Sequence, residues 1–328
     1  MDSNIKKLNE DAKKYSEKLQ KVSDEIKKVI VGQEDIIDKV LLCVSAEGHA
    51  LLEGVPGLAK TMLVKTLSDS LNTTFHRIQF TPDLLPADIV GTKIYDNHKG
   101  TFATKKGPLF ANIILADEIN RAPPKVQSAL LEAMQEKQIT ISGDTFELEL
   151  PFLVLATQNP IETEGTYRLP EAQLDRFMFK ILFDYPDIAD SKIIIERMTN
   201  PFDPKVKKIL EPKEIIELQK FVKTVYVDDK ITDYVTKLVD ATRNPKTYKL
   251  EIKHLIDFGA SPRALIWLIM AAKANAVLNG RGYVIPEDIK FVAHDVLRHR
   301  ILLSYEAEAE GITSDAIIDM ILEKIKTP

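Results

Sequence analysis

The stretch that most constrains the fold of this chain is residues 51–61, with the sequence L-L-E-G-V-P-G-L-A-K-T. A short apolar run leads into a glycine-rich turn, and the turn ends in Lys60 and Thr61, where a helix can begin. The general phosphate-binding pattern is G-x-x-x-x-G-K-[ST], in which backbone N–H groups and a helix N-terminus surround phosphate oxygens. Gly54, Lys60 and Thr61 fit this pattern, whereas Ala59 replaces the last glycine. An ordinary strand, turn and helix with a surface lysine is the alternative interpretation.

Length and composition narrow the class of protein. The chain has 328 residues, of which 45% are hydrophobic and 28% are charged. These values are typical of a soluble globular protein of about two domains. No apolar run is long enough to span a membrane, and the charged N-terminus lacks the apolar core of a signal peptide. Together with the single cysteine, Cys43, these features predict a cytoplasmic protein.

The pattern of apolar residues predicts an N-terminal helix followed by alternating strands and helices. Between residues 4 and 29 the apolar residues recur at spacings of three and four, which predicts one amphipathic helix within residues 1–30. We expect this helix to pack along its own or a neighbouring subunit, with a coiled coil as the alternative. Short apolar runs predict five buried strands, at residues 50–52, 75–80, 112–116, 152–156 and 177–183.

Helical patterns alone follow these strands. The longest are at residues 262–279 and 286–303. We therefore place a domain boundary at about residue 187, with an α/β core at 31–186 and an all-helical module at 187–328.

Two β-hairpins are predicted to interrupt the α/β core. Proline and glycine punctuate residues 81–110, where a small hairpin at 91–104 would turn near residues 97–100. A second hairpin is predicted at 138–150, with its turn at Gly143 and Asp144.

Acidic and amide side chains follow two of the predicted strands. Asp117 and Glu118 come directly after the strand at 112–116, where a magnesium-bound nucleotide needs acids. Asp117 would hold magnesium through its water shell, with Thr61 as a second ligand, and Glu118 would be the base for an attacking water. Asn159 follows the strand at 152–156, where its amide can reach a γ-phosphate or this water. The alternatives are two acids that cap a helix and an asparagine that opens a turn.

In combination, these motifs resemble those of the AAA+ ATPases and, within them, the MoxR family. The resemblance covers roughly residues 30–305, and alanine at position 59 is a feature of this family. The motifs that carry it are V-G-Q-E at 31–34, G-V-P-G-L-A-K-T at 54–61, A-D-E-I-N-R-A-P-P-K-V-Q-S-A-L-L-E-A-M-Q-E at 116–136, A-T-Q-N-P at 156–160, L-P-E-A-Q-L-D-R-F at 169–177, S-P-R-A at 261–264 and V-L-R-H-R-I at 296–301.

The resemblance implies a fold and a set of site residues. The implied fold class is α/β, a P-loop αβα core with a parallel five-stranded sheet and hairpin insertions, followed by an all-helical lid domain. Arg176 resembles the arginine finger that enters the next subunit's site, Arg263 resembles sensor 2, and Asn159 resembles sensor 1. Arg121 and Arg168 are further candidates for the subunit interface. The residues expected to bind ATP or ADP are Val31, Gly32, Gln33, Gly54, Val55, Pro56, Gly57, Leu58, Ala59, Lys60, Thr61, Met62 and Asp117.

The resemblance implies an ATP-hydrolysing machine that remodels or matures client proteins, among them proteins with von Willebrand factor type A domains. A finger that acts between subunits requires a ring, with a hexamer expected. The alternative is a nucleic-acid motor or loader, or a magnesium-chelatase-like subunit, of similar architecture. The net charge of −5 and the lack of a basic, aromatic patch argue against nucleic acid. A nucleotide-gated scaffold without turnover is a third interpretation, which the adjacent acids Asp117 and Glu118 disfavour.

Overall fold

The computed structural model of the chain describes residues 2–97, 100–161 and 165–328. These residues form two compact units, each built from separate segments of the chain. The sheet unit comprises Lys21–Pro170 and Ile181–Ile216. The helical unit comprises Met1–Gln20, Glu171–Lys180 and Glu217–Pro328. The division into domains at 1–30, 31–186 and 187–328 stays a prediction.

Alternating strands and helices make up the first part of the chain. After helix α1 (Asp2–Val29), the elements are α2 (Glu34–Ala46), β1 (Ala50–Glu53), α3 (Lys60–Ser70), β2 (Phe75–Gln79), α4 (Pro86–Val90), β3 (Gly91–Asp96), β4 (Thr101–Lys106), β5 (Ile113–Asp117), α5 (Pro124–Glu136), β6 (Gln138–Ile141), β7 (Asp144–Glu147) and β8 (Leu153–Gln158).

Helices predominate in the remainder. In chain order the elements are α6 (Glu171–Leu174), β9 (Phe179–Leu182), α7 (Ile188–Thr199), α8 (Pro212–Thr224), α9 (Asp229–Arg243), β10 (Ile256–Phe258), α10 (Pro262–Leu278), α11 (Pro286–Leu297), β11 (Leu302–Leu303), α12 (Tyr305–Ala309) and α13 (Ser314–Lys324). No helix among the described residues has the length and apolarity that crossing a bilayer requires.

A five-stranded sheet in the order β2-β5-β8-β1-β9 confirms the predicted α/β core. The pairs β2–β5, β5–β8 and β8–β1 are parallel. Strands β1, β5 and β8 are almost entirely buried, which is why their sequences are continuous apolar runs. Strand β8 lies between β1 and β5, so the chain segments that follow these three strands meet at one edge of the sheet.

The apolar stripe of α1 is buried at its central and C-terminal positions and partly exposed elsewhere, in keeping with its periodicity. Ala12, Leu19, Val22 and Ile26 are each 1% exposed or less. The lysines and glutamates of the opposite face account for the amphipathic pattern.

Both predicted hairpins are present, with small differences in register. Strands β3 and β4 pair from Gly91–Lys106 to Asp96–Thr101, two residues further than predicted. His98 and Lys99, in the predicted turn of this hairpin, lie outside the described residues. The turn between β6 and β7 is Ser142 and Gly143, so its prediction at Gly143 and Asp144 is wrong by one residue. Both turn residues have positive φ, 49° and 91°, as two-residue hairpin loops require.

The helical unit also contains a small antiparallel ribbon that was not predicted. Strand β10 pairs with β11, with Ile256 opposite Leu303 and Phe258 opposite Leu302. The helix predicted at 286–303 consequently ends at Leu297. Two- and three-residue strands carry too little periodicity to be recognised in a sequence.

Candidate functional site

A cleft of about 600 Å³ opens in the sheet unit beside the carboxyl ends of β1, β5 and β8. All of its lining residues belong to the sheet unit. The carboxyl edge of a parallel sheet is where open α/β folds bind their ligands. Predicted site residues that line it are Val31, Gln33, Gly54, Pro56, Gly57, Leu58, Ala59, Lys60, Thr61, Met62, Asp117, Glu118 and Asn159. Gly32 and Val55 belong to the same turns but do not line the cleft.

The turn at residues 54–59 forms one wall of this cleft and leads into α3. A Cβ atom on Gly54 would lie 2.7 Å from the Cβ of Phe183, so no larger residue fits there. Ala59 has a φ of 57°, the left-handed conformation that glycine adopts without strain and other residues adopt at a cost of about 1 kcal/mol. Helix α3 begins at Lys60, so the unpaired N–H groups of its first turn lie at the cleft.

Lys60 points back over this turn. Its Nζ donates hydrogen bonds to the carbonyl oxygens of Gly54 and Val55. Partial burial lowers the pKa of Lys60, and the carboxylates of Asp117 and Glu118 oppose that change. The ammonium group is therefore held over the turn, where phosphate oxygens can replace the two carbonyl acceptors.

Asp117 ends strand β5 with both carboxylate oxygens hydrogen-bonded. Its Oδ2 accepts from Nε and Nη2 of Arg77, at 2.9 and 2.6 Å. Its Oδ1 accepts from Oγ1 of Thr157 at 2.6 Å. The carboxylate is thus held in one orientation at the cleft, as a metal ligand must be.

Glu118 is held from two sides in a left-handed backbone conformation. Its φ is 56°, and its N–H donates to Oγ1 of Thr157 at 2.8 Å. The side-chain Oε2 accepts from Nε2 of Gln79 at 2.9 Å and from Nη1 of Arg121 at 3.2 Å. Arg121, predicted from the sequence as an interface candidate, thus contacts the candidate base of its own chain. Strained backbone of this kind is concentrated at functional sites.

Arg77, Gln79 and Thr157 contact the candidate acids Asp117 and Glu118, and the sequence did not predict them as site residues. Arg77 and Gln79 are two apart on β2, so both side chains lie on one face of the sheet. Strand β2 pairs with β5, and Arg77 and Gln79 lie opposite Leu115 and Asp117. Two polar residues at alternate positions of a strand were the signal, but only the strand order shows that they reach the acids.

Asn159 lines the cleft just after β8 and is 9% exposed. Its Oδ1 accepts a hydrogen bond from the N–H of Ile161 at 3.1 Å, the geometry of a turn. Asn159 therefore opens a turn and also lines the cleft, so the interpretation as a turn residue and the interpretation as a site residue both have a structural basis.

The opposite end of the cleft is apolar. Gln33, with a φ of 58°, donates its Nε2 to the carbonyl oxygen of Asp184 at 2.9 Å. Arg197, which the sequence reasoning missed, donates to the carbonyl oxygen of Lys28 at 3.0 Å and lies 5.0 Å from the ring centre of Phe202. The apolar side chains at this end are Val29, Ile30, Val31, Pro186, Ile194 and Met198.

The candidate residues Arg176 and Arg263 belong to the helical unit. Arg176 follows α6, and its N–H donates to the carbonyl oxygen of Gln173 at 3.2 Å. Arg263 lies in the first turn of α10, and its Nη1 is 3.6 Å from Oδ2 of Asp175. Arg168 is exposed in the sheet unit.

The cleft fits a nucleoside triphosphate with magnesium. Its apolar end suits a base, and the turn of N–H groups with Lys60 suits phosphates. The hydroxyl of Thr61 and the carboxylate of Asp117 are the oxygen ligands that magnesium prefers. No cluster of three histidine, cysteine, aspartate or glutamate side chains suited to a metal occurs within 2–97, 100–161 and 165–328.

Comparison with protein families defines the class. Residues 49–179 match the ATPase family associated with various cellular activities (AAA). Residues 249–321 match the AAA lid domain. The first match contains the phosphate turn, both acids and Asn159, and the second contains Arg263.

Individual relatives place the chain more narrowly. It is 48% identical over 302 residues to Chaperone MoxR1 of Mycobacterium tuberculosis, covering 92% of this chain and 80% of the relative. It is 30% identical over 326 residues to Protein MoxR of Methylorubrum extorquens, covering 92% of each. A crystal structure of a proposed ATPase from Cytophaga hutchinsonii shares 52% identity and a TM-score of 0.93, with 99% of both chains covered. The chain belongs to the MoxR family of AAA+ ATPases.

Proposed function

We propose that this protein hydrolyses ATP to ADP and phosphate as a ring, expected to be a hexamer, and that the cycle drives remodelling or maturation of client proteins. The observation that carries the proposal is that one cleft is lined by Lys60 on its phosphate turn and by the acid pair Asp117 and Glu118. A cradle alone would support binding, whereas an adjacent acid pair supports hydrolysis.

Binding of the nucleotide uses the whole length of the cleft. Residues 31–33 and the apolar end would receive adenine, and the phosphate turn with Lys60 would receive the phosphates. Thr61 and Asp117 would hold magnesium, which when bound neutralises charge on the phosphate oxygens.

Hydrolysis needs a positioned water and a proton acceptor. Glu118 would accept the proton of the attacking water, since Gln79 and Arg121 hold one of its oxygens and so aim the carboxylate. Asn159 would orient that water or the γ-phosphate from the neighbouring strand end.

Arginines would stabilise the charge that develops on the transferred phosphoryl group. Arg176 would act on the site of the next subunit, which is why activity would require a ring, and such a finger contributes about 10³–10⁵ in rate. Arg263 would contact the nucleotide as sensor 2. Arg121 and Arg168 are proposed at the subunit interface on the family resemblance alone.

A protein is the proposed client. One relative at 48% identity is named a chaperone, and the family resemblance implies clients with von Willebrand factor type A domains. The exposed hairpin β3–β4, with Tyr95 and Phe102 51% and 70% exposed, is a surface on which such a client can act.

The test compares Glu118→Gln with Lys60→Ala. Glu118→Gln should keep its affinity for ATP and lower kcat by about 10²–10⁴, because only the proton acceptor is lost. Lys60→Ala should weaken ATP binding by about 10- to 100-fold, because a charged hydrogen bond is lost. Fluorescent-nucleotide binding and phosphate release measure the two quantities.

Turnover by Glu118→Gln at the wild-type rate would refute the assignment of the base. The same Glu118→Gln protein, loaded with ATP and magnesium, should retain its client in a pull-down, with Lys60→Ala as the control that retains none. Stimulation of wild-type hydrolysis by DNA or RNA would instead favour a nucleic-acid motor.

A further inference from the structure

The turn that carries Arg176 is anchored mainly by the buried side chain of Arg300, and Nε2 of the buried His299 lies 3.2 Å from the carbonyl oxygen of Phe177 in the same turn. Arg300 is 5% exposed and follows the end of α11. Its Nη2 donates to the carbonyl oxygens of Asp175 and Phe177, at 2.9 and 2.6 Å, which are the residues on either side of Arg176. Its Nη1 donates to the carbonyl oxygen of Met178 at 3.2 Å. The N–H groups of the turn bind back to α6, so the backbone of Arg176 is fixed from both sides.

The carboxylate of Asp175 joins this anchor to Arg263. Its Oδ1 accepts from Nε of Arg300 at 2.9 Å and from Oγ of Ser261 at 2.7 Å. Its Oδ2 lies 3.6 Å from Nη1 of Arg263. All of these residues belong to the helical unit.

Charge and burial decide which of these contacts is rigid. The side chain of Arg300 is 1% exposed and that of Asp175 is 18% exposed, whereas that of Arg263 is 40% exposed. Burial lowers the pKa of Arg300 to about 10, with Asp175 opposing the change, so Arg300 is charged at neutral pH. A buried guanidinium with a single carboxylate partner cannot release it without a large cost. The contact between Asp175 and Arg300 is therefore rigid, whereas the more exposed Arg263 can leave Asp175 and bind another group.

We propose that the pair Asp175 and Arg300 positions both arginines: Arg300 holds the turn of Arg176 through its backbone carbonyls, and the carboxylate of Asp175, fixed by Arg300, orients the guanidinium of Arg263. The two arginines then respond to nucleotide as one group. This inference rests on the proposed ATP hydrolysis, in which Arg176 and Arg263 contact phosphate.

The first arm of the test needs no nucleotide. Arg300→Lys keeps the charge but loses the fork of donors, so amide hydrogen exchange across residues 171–180 should accelerate about tenfold or more. The control is Arg281→Lys, since the guanidinium of Arg281 donates to the buried Asp288 and to the carbonyl oxygen of Tyr283 in the same unit. It should leave exchange at 171–180 unchanged. Equal exchange in both variants would overturn the anchoring role.

The second arm is a double-mutant cycle on kcat for ATP with Asp175→Asn and Arg263→Ala. The substituted amide is close to isosteric with the carboxylate but lacks the charge that orients Arg263. Arg263→Ala should therefore cost about tenfold less in the Asp175→Asn background than in wild type. The control cycle replaces Asp175→Asn with Asp288→Asn, because Asp288 is a buried carboxylate that pairs with Arg281 instead. In that cycle the effects of the two substitutions on kcat should multiply.

The outcomes separate this inference from the proposed function. A wild-type protein that does not hydrolyse ATP would refute the proposed function. The amide hydrogen exchange of Arg300→Lys would still show whether Arg300 anchors the turn of Arg176. A protein that hydrolyses ATP with multiplicative effects of Asp175→Asn and Arg263→Ala would refute the positioning role alone. If Asp175→Asn unfolds, Asp175→Glu keeps the charge but displaces the carboxylate from its contact with Arg263, and should reduce the effect of Arg263→Ala in the same direction.

Discussion

Two polar side chains, Arg77 and Gln79, link the candidate metal ligand Asp117 to the candidate base Glu118. Nη2 of Arg77 donates both to Oδ2 of Asp117, at 2.6 Å, and to Oε1 of Gln79, at 2.8 Å. The second bond sets the orientation of the Gln79 amide, so that its Nε2 faces Glu118. A change at the metal ligand can therefore reach the base through two side chains of one strand.

Gln79→Leu tests whether this link aims the base. The variant removes the Nε2 donor to Glu118 while leaving the phosphate turn intact, so kcat should fall by about 10- to 100-fold with the ATP dissociation constant unchanged. Steady-state hydrolysis and nucleotide titration measure the two quantities. Gln138→Leu, at an exposed position of β6, is the matched control and should change neither. Unchanged kcat in Gln79→Leu would contradict the aiming role.

Three residues that line the cleft have a left-handed backbone conformation. Gln33, Ala59 and Glu118 have φ values of 58°, 57° and 56°, and all three line it. Such conformations cost about 1–3 kcal/mol each unless their surroundings impose them. Their presence at the apolar end, the phosphate turn and the acids supports a single preorganised site.

At the level of elements, His49 joins α5 to the sheet. The N–H of Val154 in β8 donates to Nδ1 of His49 at 3.0 Å, which leaves the proton on Nε2. Nε2 then donates to the carbonyl oxygen of Met134 in α5 at 3.2 Å. Burial is the main cause that lowers the pKa of His49 to about 4. A second proton on this ring would displace the acceptor that β8 uses.

Stability should fall in mild acid for this reason. The pKa of His49 is about 4 in the folded protein and 6.5 for an unperturbed group, so the unfolded state binds more protons between these values. His49 alone should lower the free energy of unfolding by about 3 kcal/mol as the pH falls from 6.5 to 4. Urea unfolding at several pH values measures it.

His49→Gln supplies the control for this slope. Its amide can accept from Val154 and donate to Met134 but does not titrate, so the pH dependence should flatten. His299, also buried and with a pKa well below 6.5, contributes a slope of the same sign that should persist. A slope unaffected by His49→Gln would contradict the assignment.

At the level of the whole molecule, the proposed finger requires a partner copy. Arg176→Ala and Lys60→Ala should each be inactive alone, the first for lack of a finger and the second for lack of a cradle. Mixing them should restore part of the ATPase activity, because some interfaces would pair an intact Lys60 with an intact Arg176. Phosphate release as a function of mixing ratio measures the recovery.

The matching control mixes Lys60→Ala with a variant that carries both substitutions. No interface in that mixture has both groups, so hydrolysis should stay at background. Recovery only in the first mixture supports action between subunits, and no recovery in either leaves Arg176 without that role.

The phosphate turn and the acids were predictable because each is a contiguous signature. Residues 54–61 and the pair Asp117 and Glu118 follow buried strands whose composition is recognisable in the chain. The burial of α1 was predictable for a similar reason, since its stripe repeats over many turns. The family follows from the same motifs in combination.

Strand order decided what the chain alone could not. Arg77 and Gln79 reach the acids only because β2 pairs with β5, and neighbours in a sheet are remote in sequence. The anchoring of Asp175 by Arg300 likewise joins residues that no local period relates. Local motifs are set by backbone geometry over a few residues, whereas the partners that hold charged groups in place depend on how distant segments pack.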